Sequence, residues 1–212
     1  AINNLHKAGH KVIGCDIYPK EWHYEASQCD VFEQAPYANT EEYIPFLLKL
    51  AKENDVKYLF PLTDLEIDVI NPKRELFEQE GITVCISSRE TLKIARNKYS
   101  LFKAFKDDET VPSVPTYTLE DDLTKLKYPC VAKPRDGRSS EGLCYLQNEN
   151  QLNEIKHISS YIFQEKIEGS VCTVDYVRDP LTGCSFCVPR EELLRTKTVS
   201  YTHLRAHETS AH

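Results

Sequence analysis

The chain has 212 residues, a formal net charge of -7 and no basic run, which excludes nucleic acid as the main partner, because phosphate backbones are met by clustered Lys and Arg. No apolar stretch reaches the ~20 residues that span a bilayer, and the opening residues do not read as a signal peptide. Eight cysteines scattered through predicted strands and helices suit a reducing compartment, so the expectation is a cytoplasmic protein with buried thiols.

Residues 1-9 read as the end of a helix, and Lys11 to Asp16 as a short buried strand ending in a carboxylate. The chain contains no methionine and opens in helical register, so its natural start, with the first strand and turn, is expected upstream of Ala1. After an irregular stretch in which Trp22 plugs the core or a loop, a helix is predicted from Thr40 as N-cap, with Ile44, Leu47, Leu48 and Ala51 on one face. Val56 to Leu62 reads as a strand. Glu66 to Glu80 reads as a helix strained by Pro72 and stopped by Gly81, and Ile82 to Ile86 as the next strand. Such alternation predicts a Rossmann-like parallel sheet covered by helices.

Ser87 and Glu90 are spaced as a capping box, and Leu92, Ala95, Tyr99 and Phe102 form the stripe of the helix that leads into a second unit. Pro112 and Pro115 impose an extended connection. Tyr128 to Pro134 and Gly142 to Gln147 then read as strands, Glu149 to His157 as a helix and Tyr161 to Glu165 as a strand. Thr173 to Arg178 and Cys184 to Val188 read as a hairpin.

Two segments carry chemistry. In Tyr128 to Gly142 a strand ends in Lys133 and enters a Gly/Ser loop, which presents one cation and several backbone N–H groups to the same space, as phosphate oxygens require. A surface lysine before a polar hairpin turn is the plainer alternative. In Phe163 to Gly169 a strand runs into a short polar connection, whose backbone can meet an adenine edge while Ile167 covers the ring; the alternative is an edge strand leaving the sheet. Cys184 and Cys187 form a C-x-x-C whose side chains point to opposite faces of a strand, with no second pair to complete a zinc site.

The order of a helix carrying Lys98, a Lys133-Pro134 strand end with a Ser139-Ser140-Glu141-Gly142 loop, and Gln164-Glu165-Lys166-Ile167-Glu168-Gly169 followed by Thr173-Val174-Asp175 resembles the ATP-grasp superfamily. It is most similar to the carbamoyl-phosphate-synthase-like branch, which also holds the pyrrolysine-biosynthesis ligase type. The resemblance implies an α/β chain: a pre-ATP-grasp parallel sheet over 1–92, including the Pro61 to Glu66 strand end, and the front part of an α+β ATP-grasp domain over 93–198. Residues 199–212 resemble a translated sequencing adapter and are expected to be a non-native tail, so the i,i+4 pair His203 and His207 is set aside as a metal site.

By the same resemblance Lys98 and Lys133 are the two phosphate-facing cations, and the backbone of Ser139, Ser140 and Gly142 is the lid over the phosphates. Gln164, Glu165, Lys166 and Ile167 hold adenine, and Arg190 and Arg195 lie near the acyl phosphate as catalytic cations. Val171 stands where the family carries a ribose-binding glutamate. The implied cofactors are ATP and Mg2+, with the metal ligands downstream of this chain; the implied partners are a small carboxylate and an amine, with a homodimer left open. The implied activity is that of a carboxylate–amine ligase working through an acyl phosphate, the chain itself binding ATP weakly and turning nothing over. Two alternatives stand beside it: a non-catalytic nucleotide-binding module of the same fold, and a dinucleotide-binding oxidoreductase with Asp16 on a ribose.

Overall fold

The structure, a computed structural model, describes residues 1–138, 140–179 and 181–192 in full and 204–206 as backbone. It divides into two compact units, Ala1–Leu92 and one that begins at Lys93.

In the first unit a short helix α1 (Ile2–Lys7) precedes strand β1 (Ile13–Asp16), which pairs in parallel with β2 (Val31–Gln34). The segment expected to be irregular therefore contains a strand. Trp22 does not plug the core: it is 73% exposed and stacks on Tyr18 with ring centroids 5.5 Å apart. Helix α2 (Tyr43–Glu53) follows, then β3 (Tyr58–Leu59), α3 (Asp64–Ile70), α4 (Arg74–Gln79) and β4 (Thr83–Val84), with β3 and β4 again parallel. Helix α2 begins two residues later than the sequence suggests, with Glu42 at the N-cap position, because the Thr40 hydroxyl donates to the Tyr37 carbonyl and does not cap the helix. Pro72, which lacks an N–H, sits in a 3-10 turn that separates α3 from α4. Tyr43, Ile44, Leu47 and Ala51 on one face of α2 pack with Ile70, Phe77, Ile82 and Val84 to form the core.

Helix α3 opens on a capping box that the sequence reading passed over. Thr63 accepts from the Glu66 N–H, and the Glu66 carboxylate accepts from the N–H groups of Leu62 and Thr63. The other oxygen of Glu66 accepts from the Tyr43 hydroxyl at 2.7 Å. This bond and burial push the Tyr43 phenol well above the usual tyrosine range, burial being the larger cause.

The helix α5 (Arg89–Ala95) bridges the boundary between the units and is capped by Ser88, which accepts from the Thr91 N–H, one residue later than the predicted box. The apolar stripe expected to continue to Phe102 is broken at Asn97, whose side chain accepts from Tyr99 and Ser100 and starts a new helix, α6 (Lys98–Phe105).

The second unit is built on a four-stranded antiparallel sheet of β5 (Thr116–Tyr117), β6 (Cys130–Pro134), β7 (Cys144–Leu146) and β8 (Tyr161–Glu165), in the order β5-β8-β6-β7, with helix α7 (Glu149–Ile155) between β7 and β8. Cys130, Ala132 and Phe163 point to one face, where Leu126, Leu146 and Leu152 complete a second core. The hairpin of β9 (Cys172–Arg178) and β10 (Ser185–Glu192) follows, and β11 (Leu204–Ala206) pairs with β10. Strands β9 and β10 are exposed through most of their length. Among the described residues no helix is long and apolar enough to cross a membrane.

Candidate phosphate-binding site

Strand β6 alternates, so Cys130 and Ala132 enter the core while Val131 and Lys133 occupy the opposite face. Register extends that face across the sheet, because Lys133 lies opposite Ile162, Val131 opposite Gln164, and Gln164 opposite Thr116. Gln164 donates to the Thr116 hydroxyl at 2.7 Å, which fixes its amide along the sheet. Lys133 and Gln164, which the sequence placed on phosphate and adenine, thus share one face.

Lys98 reaches the same strand end from the first position of α6. Its backbone N–H donates to the Arg135 carbonyl at 2.7 Å, and its Nζ donates to the carbonyls of Pro134 and Gly137, at 3.2 and 2.5 Å. Lys98 therefore ties the helix start to the end of β6 and to the loop beyond it. The Lys133 amine is pushed below the usual lysine range, first by burial and then by the charge of Lys98 nearby. The Lys133 ammonium makes no hydrogen bond or ion pair with a described residue. The two ammonium groups raise a local positive potential at a strand end, which an anion would relieve.

The loop after β6 is folded tightly. Gly142 has φ +70°, and a Cβ there would lie 2.8 Å from the Tyr161 hydroxyl and 3.0 Å from Pro134 Cγ, so glycine is required on grounds of both conformation and space. The Tyr161 hydroxyl donates to the Gly142 carbonyl, and Leu143 N–H donates to the Ser140 carbonyl. Ser140 is also left-handed, at φ +58°. The N–H groups of Ser140 and Gly142 bond no described residue; Ser139 lies outside the described residues.

The remaining site expectations are scattered. Glu165 lies opposite Cys130, on the core face of the sheet, and its carboxylate is 3.8 Å from Lys127 Nζ. Lys166 gives its backbone N–H to the Pro129 carbonyl and its ammonium to Glu168. Ile167 is 65% exposed. Arg190 lies opposite Thr173, and its guanidinium donates to Asp175, two residues along β9, at 2.6 Å. Arg195 lies outside the described residues, as do His203 and His207. Cys184 precedes β10 and Cys187 lies within it, both exposed thiols. Asp16 accepts from the Tyr18 N–H at 3.0 Å and lies 3.3 Å from His23 Nε2, so the carboxylate of the oxidoreductase alternative is engaged by its own neighbours.

Two lysines at a strand end, a glycine-pinned loop and the neighbouring inner strand β8 are thus brought together on an α+β sheet, a set of groups able to meet phosphate oxygens. The sequence profile of the ATP-grasp domain matches residues 95–203, and that of the PylC-like N-terminal domain matches residues 1–85. The chain belongs to the ATP-grasp family. It is 30% identical over 108 residues to a D-alanine–D-alanine ligase of Petrotoga mobilis, a match covering 49% of this chain and 36% of the ligase. Among solved structures it resembles a biotin carboxylase–β,γ-ATP complex from Campylobacter jejuni (TM-score 0.72, 15% identity, 92% of this chain and 49% of that one). It also resembles the biotin carboxylase domain of 2-oxoglutarate carboxylase from Hydrogenobacter thermophilus, a dimer complexed with MgADP, ADP and bicarbonate (TM-score 0.70, 17% identity, 92% and 48%). A third is N5-carboxyaminoimidazole ribonucleotide synthetase of Thermus thermophilus (TM-score 0.67, 16% identity, 96% and 52%). The chain spans about half the length of these structures, which share its fold, and 36% of the ligase.

Proposed function

We propose that this chain supplies the nucleotide cradle of an ATP-dependent carboxylate–amine ligase of the cytoplasm. The observation that carries the reading is the lysine pair: Lys98 is held against the carbonyls at the end of β6, and its charge acts on Lys133 on the face that also bears Gln164. These residues fit a polyphosphate, since an anion between them relieves a repulsion that the folded chain otherwise bears.

When bound, ATP supplies a phosphoryl group that turns a carboxylate into an acyl phosphate, which an amine then displaces. Lys98 positions the loop, Lys133 supplies charge to the phosphates, and the amides of Ser139, Ser140 and Gly142 close over them. Gln164 and the backbone that follows it border the base, and Arg190, in the same reading, stands near the acyl group with Arg195. Among the described residues no three His, Cys, Asp or Glu side chains gather as a metal site; in this reading Mg2+ would be held by one or two carboxylates together with the phosphates, and those ligands belong to the part of the protein downstream of this chain.

The nearest rival is a module of the same family that binds nucleotide without chemistry, and Val171 at the place of the ribose carboxylate favours it. The two part in the protein carried through its downstream region. A ligase given ATP, a carboxylate and hydroxylamine releases ADP and forms a hydroxamate, whereas a binding module retains ATP unchanged. For the chain itself, ATP binding that survives both Lys98→Met and Lys133→Met at full strength would overturn the cradle.

A further inference from the structure

A cavity of about 300 Å3 lies among α6, β5 and the turn at residues 121–125 of the second unit. Tyr99, Phe102, Pro115 and Tyr117 give it apolar walls, and Lys103, Lys106 and Lys125 also line it. Lys98, Lys133 and Gln164 are not among its lining residues, but Thr116, whose hydroxyl accepts from Gln164, is, so the cavity adjoins the phosphate cradle without including its cations.

Two carboxylates line this cavity beside the three lysines, and hydrogen bonds keep both ionised and fixed in place. Asp121 accepts from the Tyr99 hydroxyl and from the N–H and hydroxyl of Thr118, and Asp122 accepts from the N–H and hydroxyl of Thr124. The cations also have partners, though none within the usual hydrogen-bond distance: Lys103 Nζ lies 4.7 Å from the centre of the Tyr99 ring and its charge acts on Asp121, Lys106 Nζ is 3.8 Å from Asp107, and Lys125 Nζ is 3.7 Å from Asp122.

Ring walls favour an offset or edge-on aromatic guest. The space is partly open to solvent, and its volume of about 300 Å3 is large enough for a single substituted ring. Ammonium groups with unspent donors call for an anion on that ring. We infer that the cavity is a binding site for a small aromatic carboxylate, its ring lying against Tyr99 and Phe102 and its carboxylate met by Lys103. Because α6 begins at Lys98 and β5 pairs with β8 at Gln164, a guest there braces two elements that carry the nucleotide cradle.

The test is a titration of the full chain with 4-hydroxybenzoate, followed by amide NMR at α6 and β5. Two control ligands separate the terms: 4-hydroxybenzyl alcohol keeps the ring without the charge, and acetate keeps the charge without the ring. The expected result is a saturable shift with a dissociation constant below about 1 mM. Each control should bind at least about tenfold more weakly, Lys103→Gln should weaken binding about fivefold or more, and Lys103→Arg should retain it. The arginine variant separates a lost cation from a misfolded α6. A titration without saturation to about 10 mM, alcohol binding equal to the acid, or full binding by Lys103→Gln would each overturn the inference.

Discussion

The two units treat polar groups at their strand ends in opposite ways. In the first, the Glu66 carboxylate is spent on Leu62, Thr63 and Tyr43, and Asp16 accepts from the Tyr18 N–H. In the second, Lys133 is half-buried beside another cation and lacks a counter-charge among the described residues. Closed networks hold a fold together; in the reading proposed above, the like-charge pair is where an anion acts. The ladders differ as well, parallel in the first unit and antiparallel in the second, where the face that bears Lys133 and Gln164 also carries the buried Ile162 and Thr116.

The largest expected effect lies in the first unit. Phe77 is fully buried, and Phe77→Ala should remove about 3–5 kcal/mol of that unit's stability by leaving a cavity, read by chemical denaturation. If the comparison holds, the 15N shifts of β6 and β8 remain in place. Glu66→Ala should follow at about 2–3 kcal/mol, because it deletes the helix cap and strands the buried Tyr43 hydroxyl. Equal stability in that variant would mean that the carboxylate is held for a ligand, as in the second unit.

Lys133→Met should do the reverse of both. It should weaken ATP binding about 10- to 100-fold by calorimetry while leaving stability unchanged or raised, since a half-buried charge and its repulsion disappear. Gly142→Ala is expected to cost about 1–2 kcal/mol, from the left-handed backbone and the contact with Tyr161, and to weaken ATP binding less than the lysine change.

Much of this was legible in the sequence. A lysine closing a strand before a Gly/Ser loop fixed attention on Lys133, and the residues around Asp179 and Gly183 announced the β9–β10 hairpin. What escaped depends on tertiary partners. Strand β2 is only Val31-Phe32-Glu33-Gln34, two apolar residues followed by two polar ones, so alternation is not visible. The stripe from Leu92 to Phe102 keeps its period through Asn97, which hides the break between α5 and α6. Glu165 and Lys166 read as hinge residues from their order, yet pairing with Cys130 and with the Pro129 carbonyl diverts the first side chain and the second N–H. The aromatic cavity between α6 and β5 combines residues far apart in sequence and left no motif at all.

The central claim, that the ammonium groups of Lys98 and Lys133 act on one anion site, is tested most directly by titrating the Lys133 side chain by NMR with and without ATP. A lysine whose pKa is depressed by folding carries a cost that is complete below that pKa and is relieved as pH rises toward the ordinary lysine value, so ATP affinity should fall across the same alkaline range. The account predicts a Lys133 pKa below the usual lysine range that moves up when ATP binds and also moves up in Lys98→Met. A Lys133 that titrates as an ordinary lysine and responds to neither change would contradict it.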